Sequence, residues 1–344
     1  MLSTKNNRYD GTNFVTGMRA LAALGVVFIH TGGLWFRDWG EAGNRIADLG
    51  ASGVYVFFVI SGFAVSESFS RAPAYGSYLK KRLNRIVPLY FFWLAICALV
   101  IGLPNVGLYS ALMHLSFLSF LDYRVANSII GVEWTIPIEV FFYLLIPLVL
   151  MKVRSLFWLF VLAGTAFLAH RFVYNWLAYS GIENGLLALH WSPIPYAFSF
   201  MLGVVAFRIR TRWRSTRISS DVVFISSAAT MLAFVLAPSL FHPEWLGTLT
   251  VVSILTFAVI CAGADTGVAA SILRSPIAQF VGQISYGLYL SHYPIFRWVV
   301  EPLALGPVAA FFLTLALAIC VSTATWLSIE KIRLRERPTQ RVPA

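Results

Sequence analysis

The sequence predicts an all-α integral membrane protein, a polytopic bundle of about ten transmembrane helices with both termini in the cytoplasm. Three observations carry this. The 344 residues are 58% hydrophobic and only 12% charged, with a mean hydropathy of +0.75. Soluble domains carry about 25% charge, so this chain has too little polar surface to cover a water-exposed body. Apolar runs of spanning length recur along the chain, and the Lys and Arg residues between them fall on one side of the bilayer.

Spanning helices need roughly 20 mostly apolar residues. Ten segments qualify: 14–36, 50–70, 86–103, 134–151, 155–173, 193–207, 222–240, 246–263, 277–299 and 306–328. The first follows Lys5 and Arg8, is too long for a signal-peptide core and meets no small-residue cleavage site, so it reads as an uncleaved span. The short stretch 108–121, "LYSALMHLSFLSFL", is expected outside the bilayer core or re-entering it. No strong internal repeat is present. Although the length alone suggests two domains, one helical bundle absorbs it, and a single membrane domain over 1–344 with no soluble domain after the last span is expected.

With sides alternating along the chain, Arg37, Arg45, Arg124, Arg171 and Arg297 fall on one side and Arg19 lies inside the first span. Every other Lys and Arg falls on the opposite side, which the positive-inside rule makes cytoplasmic. An odd number of spans would break this asymmetry. The net charge of +11 therefore reads as orientation, and the run "RIRTRWRSTR" (Arg208 to Arg217) as topology and contact with anionic membrane lipids, not nucleic acid. Cys97, Cys261 and Cys320 are far apart in or near apolar runs, with no metal-type or disulfide spacing.

Ionisable groups inside the spans mark the candidate site. In "MRALAALGVVFIHTGG", Arg19 and His30 are eleven residues apart, which on an α-helix places them on one face, roughly 16 Å apart along the axis. A charge at membrane depth is costly and faces a protein-lined or wet cavity. Taken alone, a snorkelling Arg19 and a hydrogen-bonded structural His30 explain the pair equally well. Counting helical rise from the segment ends puts Glu139, His292 and His30 in one layer in the outer half of a ~30 Å core. Arg82 and Arg85, at i and i+3 before the third span, face the same way on a helix and suit a phosphate, or serve only as positive-inside charge.

Other chemistries lack their signatures. Gly282 to Gly287 is one residue too long for a nucleophile elbow. Ser291 and His292 are adjacent and point apart on a helix. The histidines form no metal-type pair and there is no phosphate-binding glycine loop, so no metal site is expected.

The motifs resemble the membrane-bound acyltransferase-3 family, whose members O-acylate cell-surface glycans, over nearly the whole chain. "MRALAALGVVFIHTGG" is similar to the family's first span, with Arg19 and His30 at its arginine and histidine. "GVYVFFVISGF" is similar to the second, "KRLNRIVPLY" to the arginine pair before the third, "WTIPIEVFFYLLIP" to the tryptophan–glutamate span with Glu139 at the glutamate, and "GQISYGLYLSHYP" to the late span ending in histidine. Tyr55 stands where many relatives carry an acidic residue, and Val140 where a second glutamate is common.

The resemblance implies a bacterial inner-membrane enzyme of the type that modifies O-antigen, capsule or exopolysaccharide. It implies acetyl-CoA, or another short acyl-CoA, as co-substrate with no tightly bound cofactor. A surface glycan or lipid-linked saccharide is the implied acceptor on the outer face. On that reading Arg82 and Arg85 meet the nucleotide phosphates and Arg19 meets the pantetheine arm or orders its channel. His30 is general base or acyl relay, with Glu139 or His292 orienting it. Tyr286, Tyr289 and Trp134 are candidates for thioester contact or sugar stacking, or for plain core packing, and Glu133 is expected at the outer mouth beside the acceptor. Buried Arg, His and Glu also suit a proton-coupled transporter or flippase of a lipid-linked sugar.

Overall fold

The computed structural model describes residues 13–330 except 33, 72, 213–216, 238–246 and 265. Lys5, Arg8, Arg214 and the basic residues from Lys331 to Arg341, on which the orientation argument partly rests, lie outside the described residues, as do the ends of the seventh and eighth expected spans. Among the described residues there is no strand. The helices are α1 (Asn13–Val27), α2 (Leu34–Arg37), α3 (Gly40–Leu49), α4 (Ser52–Arg71), α5 (Tyr75–Ile101), α6 (Leu103–Val106), α7 (Leu108–Leu115), α8 (Thr135–Lys152), α9 (Leu156–Ser180), α10 (Gly185–His190), α11 (Ile194–Arg210), α12 (Arg217–Leu236), α13 (Thr248–Ala262), α14 (Gly267–Leu273), α15 (Pro276–Gln283), α16 (Ser285–Ile295) and α17 (Pro307–Thr325). In lipid every backbone polar group must be satisfied within the protein, which is why apolar runs of this length become helices.

Seven helices among the described residues are long and apolar enough to cross a membrane, and an eighth candidate is the pair α13–α14, bent by 108°. The remaining expected segments are helical but shorter or broken. α12 offers a 17-residue apolar stretch from Ser220 to Leu236, and α15–α16 breaks at Ile284. The start of α15 has a local cause. Ser275 caps the start of α15, its side chain accepting from Ala278 N at 3.2 Å, and Pro276 takes the first helical position. α9 turns Phe157, Trp158, Phe172 and Trp176 outward, which is the pattern of a lipid-facing helix.

Small residues bring the central helices together, as expected where lipid supplies no hydrophobic drive between helices. A Cβ on Gly62 of α4 would stand 2.0 Å from the Phe200 carbonyl oxygen of α11, and one on Gly203 would stand 2.0 Å from the Val59 carbonyl oxygen. α1 packs antiparallel on α4 with Gly25 against Gly50 and Ala22 against Gly53. The main core lies among α4, α5, α8, α9, α11 and α16.

Two features depart from regular helix where chemistry is expected. α1 ends in a π-turn, Phe28–Gly32, that carries His30, and α16 passes through Pro294 into a second π-turn, Phe296–Val300. Proline removes a backbone donor and loosens the ladder, and π-turns are common at functional positions. The other departure lies before α8. Ile129, Ile130, Val132 and Glu133 are non-helical yet buried in the core. Irregular backbone at membrane depth is tolerated when protein surrounds it. The inward stretch is thus 125–134, beyond the 108–121 segment expected to skirt or re-enter the bilayer. α7 itself keeps Leu108, Tyr109, Leu112 and Leu115 exposed and buries only Ser110 and His114.

Candidate functional site

α1, α4, α5, α8 and α16 enclose a cavity of about 70 Å³. Arg19, Phe57, Ser61, Arg85, Glu139, Tyr143, Tyr286 and Tyr289 line it. Arg85 is exposed, so the cavity opens beside its guanidinium. Glu139 is held from two helices: Ser61 Oγ donates to its Oε1 at 2.5 Å and the Tyr143 hydroxyl donates to the same oxygen at 2.7 Å. Arg19 has its Nε buried without a hydrogen-bond partner. Two guanidiniums and one carboxylate leave the cavity net positive, and at protein-interior dielectric that field is strong. Tyr286 fixes the wall between α5 and α16 by donating to the Ile86 carbonyl at 3.0 Å.

Arg19 and His30 both meet α16, Arg19 beside Tyr286 and Tyr289, His30 beside His292 and Tyr293. His30 Nδ1 lies 3.1 Å from His292 Nε2 and 2.9 Å from the Val26 carbonyl oxygen. His292, fully buried, places its Nδ1 3.1 Å from the Leu288 carbonyl oxygen. A carbonyl only accepts, so in the neutral pair the hydrogen of His292 sits on Nδ1 and its Nε2 accepts. The atom facing that Nε2 is His30 Nδ1, which therefore donates, shared between His292 and Val26. His30 Nε2 is left with its lone pair and no hydrogen-bond partner among the described residues.

Tyr289 stands between cavity and histidines. It lines the cavity, its ring centre is 6.1 Å from that of His292 and 6.2 Å from that of Phe57, and its hydroxyl donates to the Val132 carbonyl at 2.6 Å while accepting from Thr135 Oγ1 at 2.9 Å.

The geometry corrects three expectations. Glu139 does not share a layer with the histidines. The register of α1 on α4 places Ser61, its partner, level with the first turn of α1, far from His30. Counting rise from residue 134 failed because the chain has already descended into the bundle before α8 begins. Arg82 and Arg85 do not form one fork. Arg82 is buried, donates to the Ala64 carbonyl of α4 and lies 5.6 Å over the Tyr143 ring, so only Arg85 faces the cavity. Glu133 is fully buried and its carboxylate is taken by the backbone N–H groups of Ile129 and Gly131, so no outer mouth opens onto it. Trp134 also lies outside the cavity, flanked by His190 and Tyr196 with ring centres at 5.1 and 5.4 Å. Of the residues sequence reasoning missed, Tyr143 was findable, since it sits one helical turn after Glu139 at i+4. Ser61 carried no signal.

Comparison with known proteins identifies the family. The family model described as an acyltransferase domain, Acyl_transf_3, matches residues 12–327. The chain is 26% identical over 313 residues to the acyltransferase MdmB of Streptomyces mycarofaciens, covering 83% of this chain and 79% of that protein. It is 25% identical over 356 residues to nodulation protein 10 of Rhizobium leguminosarum bv. viciae, covering 85% and 89%. A protein named as an O-acetyltransferase in Staphylococcus aureus strain COL is 22% identical over 358 residues, and the alignment covers 91% of this chain but 56% of that one. No solved structure matches the chain. With the family match spanning nearly the whole helical bundle, this multi-pass membrane protein belongs to the acyltransferase-3 family.

Proposed function

We propose that the protein moves an acetyl or other short acyl group from cytoplasmic acyl-CoA to a hydroxyl of a glycan at the outer face of a bacterial inner membrane. On this reading the bundle crosses the membrane ten times with both termini inside. The single observation that carries the proposal is the contact of His30 with His292 of α16, beyond a cavity lined by Arg19 and Arg85.

Arg85 at the cavity opening meets a phosphate of the nucleotide, with a guanidinium fork matched to that geometry. The enclosed cavity has room for about five water-sized spheres, so it takes a stretch of the pantetheine arm and not the nucleotide, and the thioester extends past Tyr289 to His30. Arg19 carries the buried N–H that the pantetheine amides satisfy. Glu139, anchored by Ser61 and Tyr143, supplies the countercharge that keeps two guanidiniums at this depth. His30 Nε2 takes the proton of the acceptor hydroxyl as that oxygen attacks the thioester carbonyl, and the CoA thiolate leaves. His292 positions His30. The surface glycan or a lipid-linked saccharide is the acceptor.

The test is transfer of label from acyl-CoA to the host glycan in membranes carrying wild type or His30→Ala, with both proteins present at equal level. Label that enters with wild type and not with the variant supports the proposal. Equal transfer by both removes His30 as the base.

A further inference from the structure

The stretch before α8 folds around a buried carboxylate. Glu133, 0% exposed, accepts from Ile129 N at 2.7 Å and from Gly131 N at 2.6 Å. Asn127 Nδ2 donates to the Gly131 carbonyl at 2.8 Å. The loop so folded meets α16 twice. The Val132 carbonyl accepts from the Tyr289 hydroxyl at 2.6 Å. Gly131, at φ +94°, packs so close to Tyr293 that a Cβ there would stand 2.3 Å from the ring. Tyr289 and Tyr293 flank His292 in the chain, and their rings lie 6.1 Å from His292 and 5.5 Å from His30.

Behind the loop, His114 is also fully buried. It shares a hydrogen bond with the Tyr90 hydroxyl at 3.1 Å, puts its other ring nitrogen 2.8 Å from the Val125 carbonyl oxygen, and approaches the Glu133 carboxylate to 3.6 Å. Burial pushes the His114 imidazole below its ordinary value, and the Glu133 carboxylate opposes that. A carboxylate buried in a loop and bonded to two backbone donors fixes that loop's shape, because each bond to a charged group is stronger than a neutral one. Glu133 lines neither the cavity nor the contact between His30 and His292.

Resting on the function proposed above, we infer that Glu133 is a positioning residue for acyl transfer: by shaping the loop 127–133 it sets Tyr289 and Tyr293, and through them His292 against His30. Glu133 itself does not line the donor cavity, and the loop reaches that cavity through the Tyr289 hydroxyl, which Val132 and Thr135 hold. Substitution of Glu133 therefore slows turnover and leaves donor binding alone.

The experiment uses the full chain in membranes, with labelled acetyl-CoA, and reads kcat and KM for Glu133→Gln, Tyr289→Phe and the double variant. A glutamine keeps one acceptor oxygen and offers an amide donor where the second N–H needs an acceptor. The expected result is a tenfold or greater loss in kcat for Glu133→Gln, with KM for acetyl-CoA within twofold of wild type. The double variant is no worse than the worse single one, since both break one chain of contacts. Losses that multiply in the double variant, or a Glu133→Gln with wild-type kcat, overturn the inference. Should Glu133→Gln fail to accumulate, Tyr289→Phe decides: unchanged kcat overturns it and a kcat loss at constant KM supports it. A wild type that transfers nothing removes the proposed function, and this inference with it.

Discussion

Replacing each histidine of the pair separates a base from the group that positions it. In His30→Ala the lone pair on Nε2 is gone, and general-base catalysis contributes about 10²–10⁴-fold, or about 3–5 kcal/mol of barrier at 1.36 kcal/mol per tenfold. His292→Ala removes less. His30 Nδ1 keeps its bond to the Val26 carbonyl at 2.9 Å, so the hydrogen stays on Nδ1 and Nε2 stays free. What is lost is one acceptor of a shared hydrogen bond, about 0.5–1.5 kcal/mol, and with it the orientation of the ring. The expected loss for His292→Ala is about two- to thirteenfold in kcat, with KM for acyl-CoA unchanged because Arg19 and Arg85 are untouched. The assay is initial-rate transfer from labelled acetyl-CoA at saturating donor, for wild type and both variants at matched membrane level. A His292→Ala loss as large as that of a still active His30→Ala refutes the hydrogen-bond argument and moves the base to His292.

Other outcomes follow from the same geometry. Arg85→Ala removes a charge-assisted contact worth about 1.5–3 kcal/mol, so KM for acyl-CoA rises about tenfold or more while kcat stays within a few-fold; an unchanged KM in a titration of donor would exclude Arg85 from phosphate binding. Glu139→Gln leaves the cavity guanidiniums without countercharge, so the melting temperature of the detergent-purified protein falls, and a melt equal to wild type contradicts that role. Gly62→Leu drives a side chain into the Phe200 carbonyl and abolishes accumulation in membranes, whereas Gly164→Ala, with nothing within 4 Å of its new Cβ, accumulates normally on immunoblots. A base must be neutral to accept a proton, so kcat rises with pH as a single group loses its proton and falls on the acid side; a profile that falls as pH rises argues for a catalytic acid.

The bundle was legible because lipid leaves the backbone one economical way to satisfy itself, and hydropathy reports that directly. The spacing of Arg19 and His30 was legible for the same reason, since α1 is regular up to Val27 and both residues reach α16. The contact of His30 with His292 was visible only as a similarity of depth, because nothing local in either span encodes which helices are neighbours. Glu139 was misplaced by about the length of α1 for a different reason. A buried loop carries no hydropathy mark that separates it from a span, so the start of α8 was taken as the membrane surface. The Arg82 and Arg85 pair shows a third limit. Residues at i and i+3 diverge by about 60°, which is enough for one to face α4 and the other the cavity. Glu133 looked like an exposed carboxylate beside a tryptophan, and only tertiary contact with two backbone N–H groups shows it is buried.

The most direct test of the account uses sealed membrane vesicles of known orientation, with labelled acetyl-CoA supplied to one face and the glycan acceptor to the other. The account predicts that label reaches the acceptor when the donor is on the cytoplasmic face and the acceptor on the opposite face, and that no free CoA crosses. Transfer that requires donor and acceptor on the same outer face would contradict it.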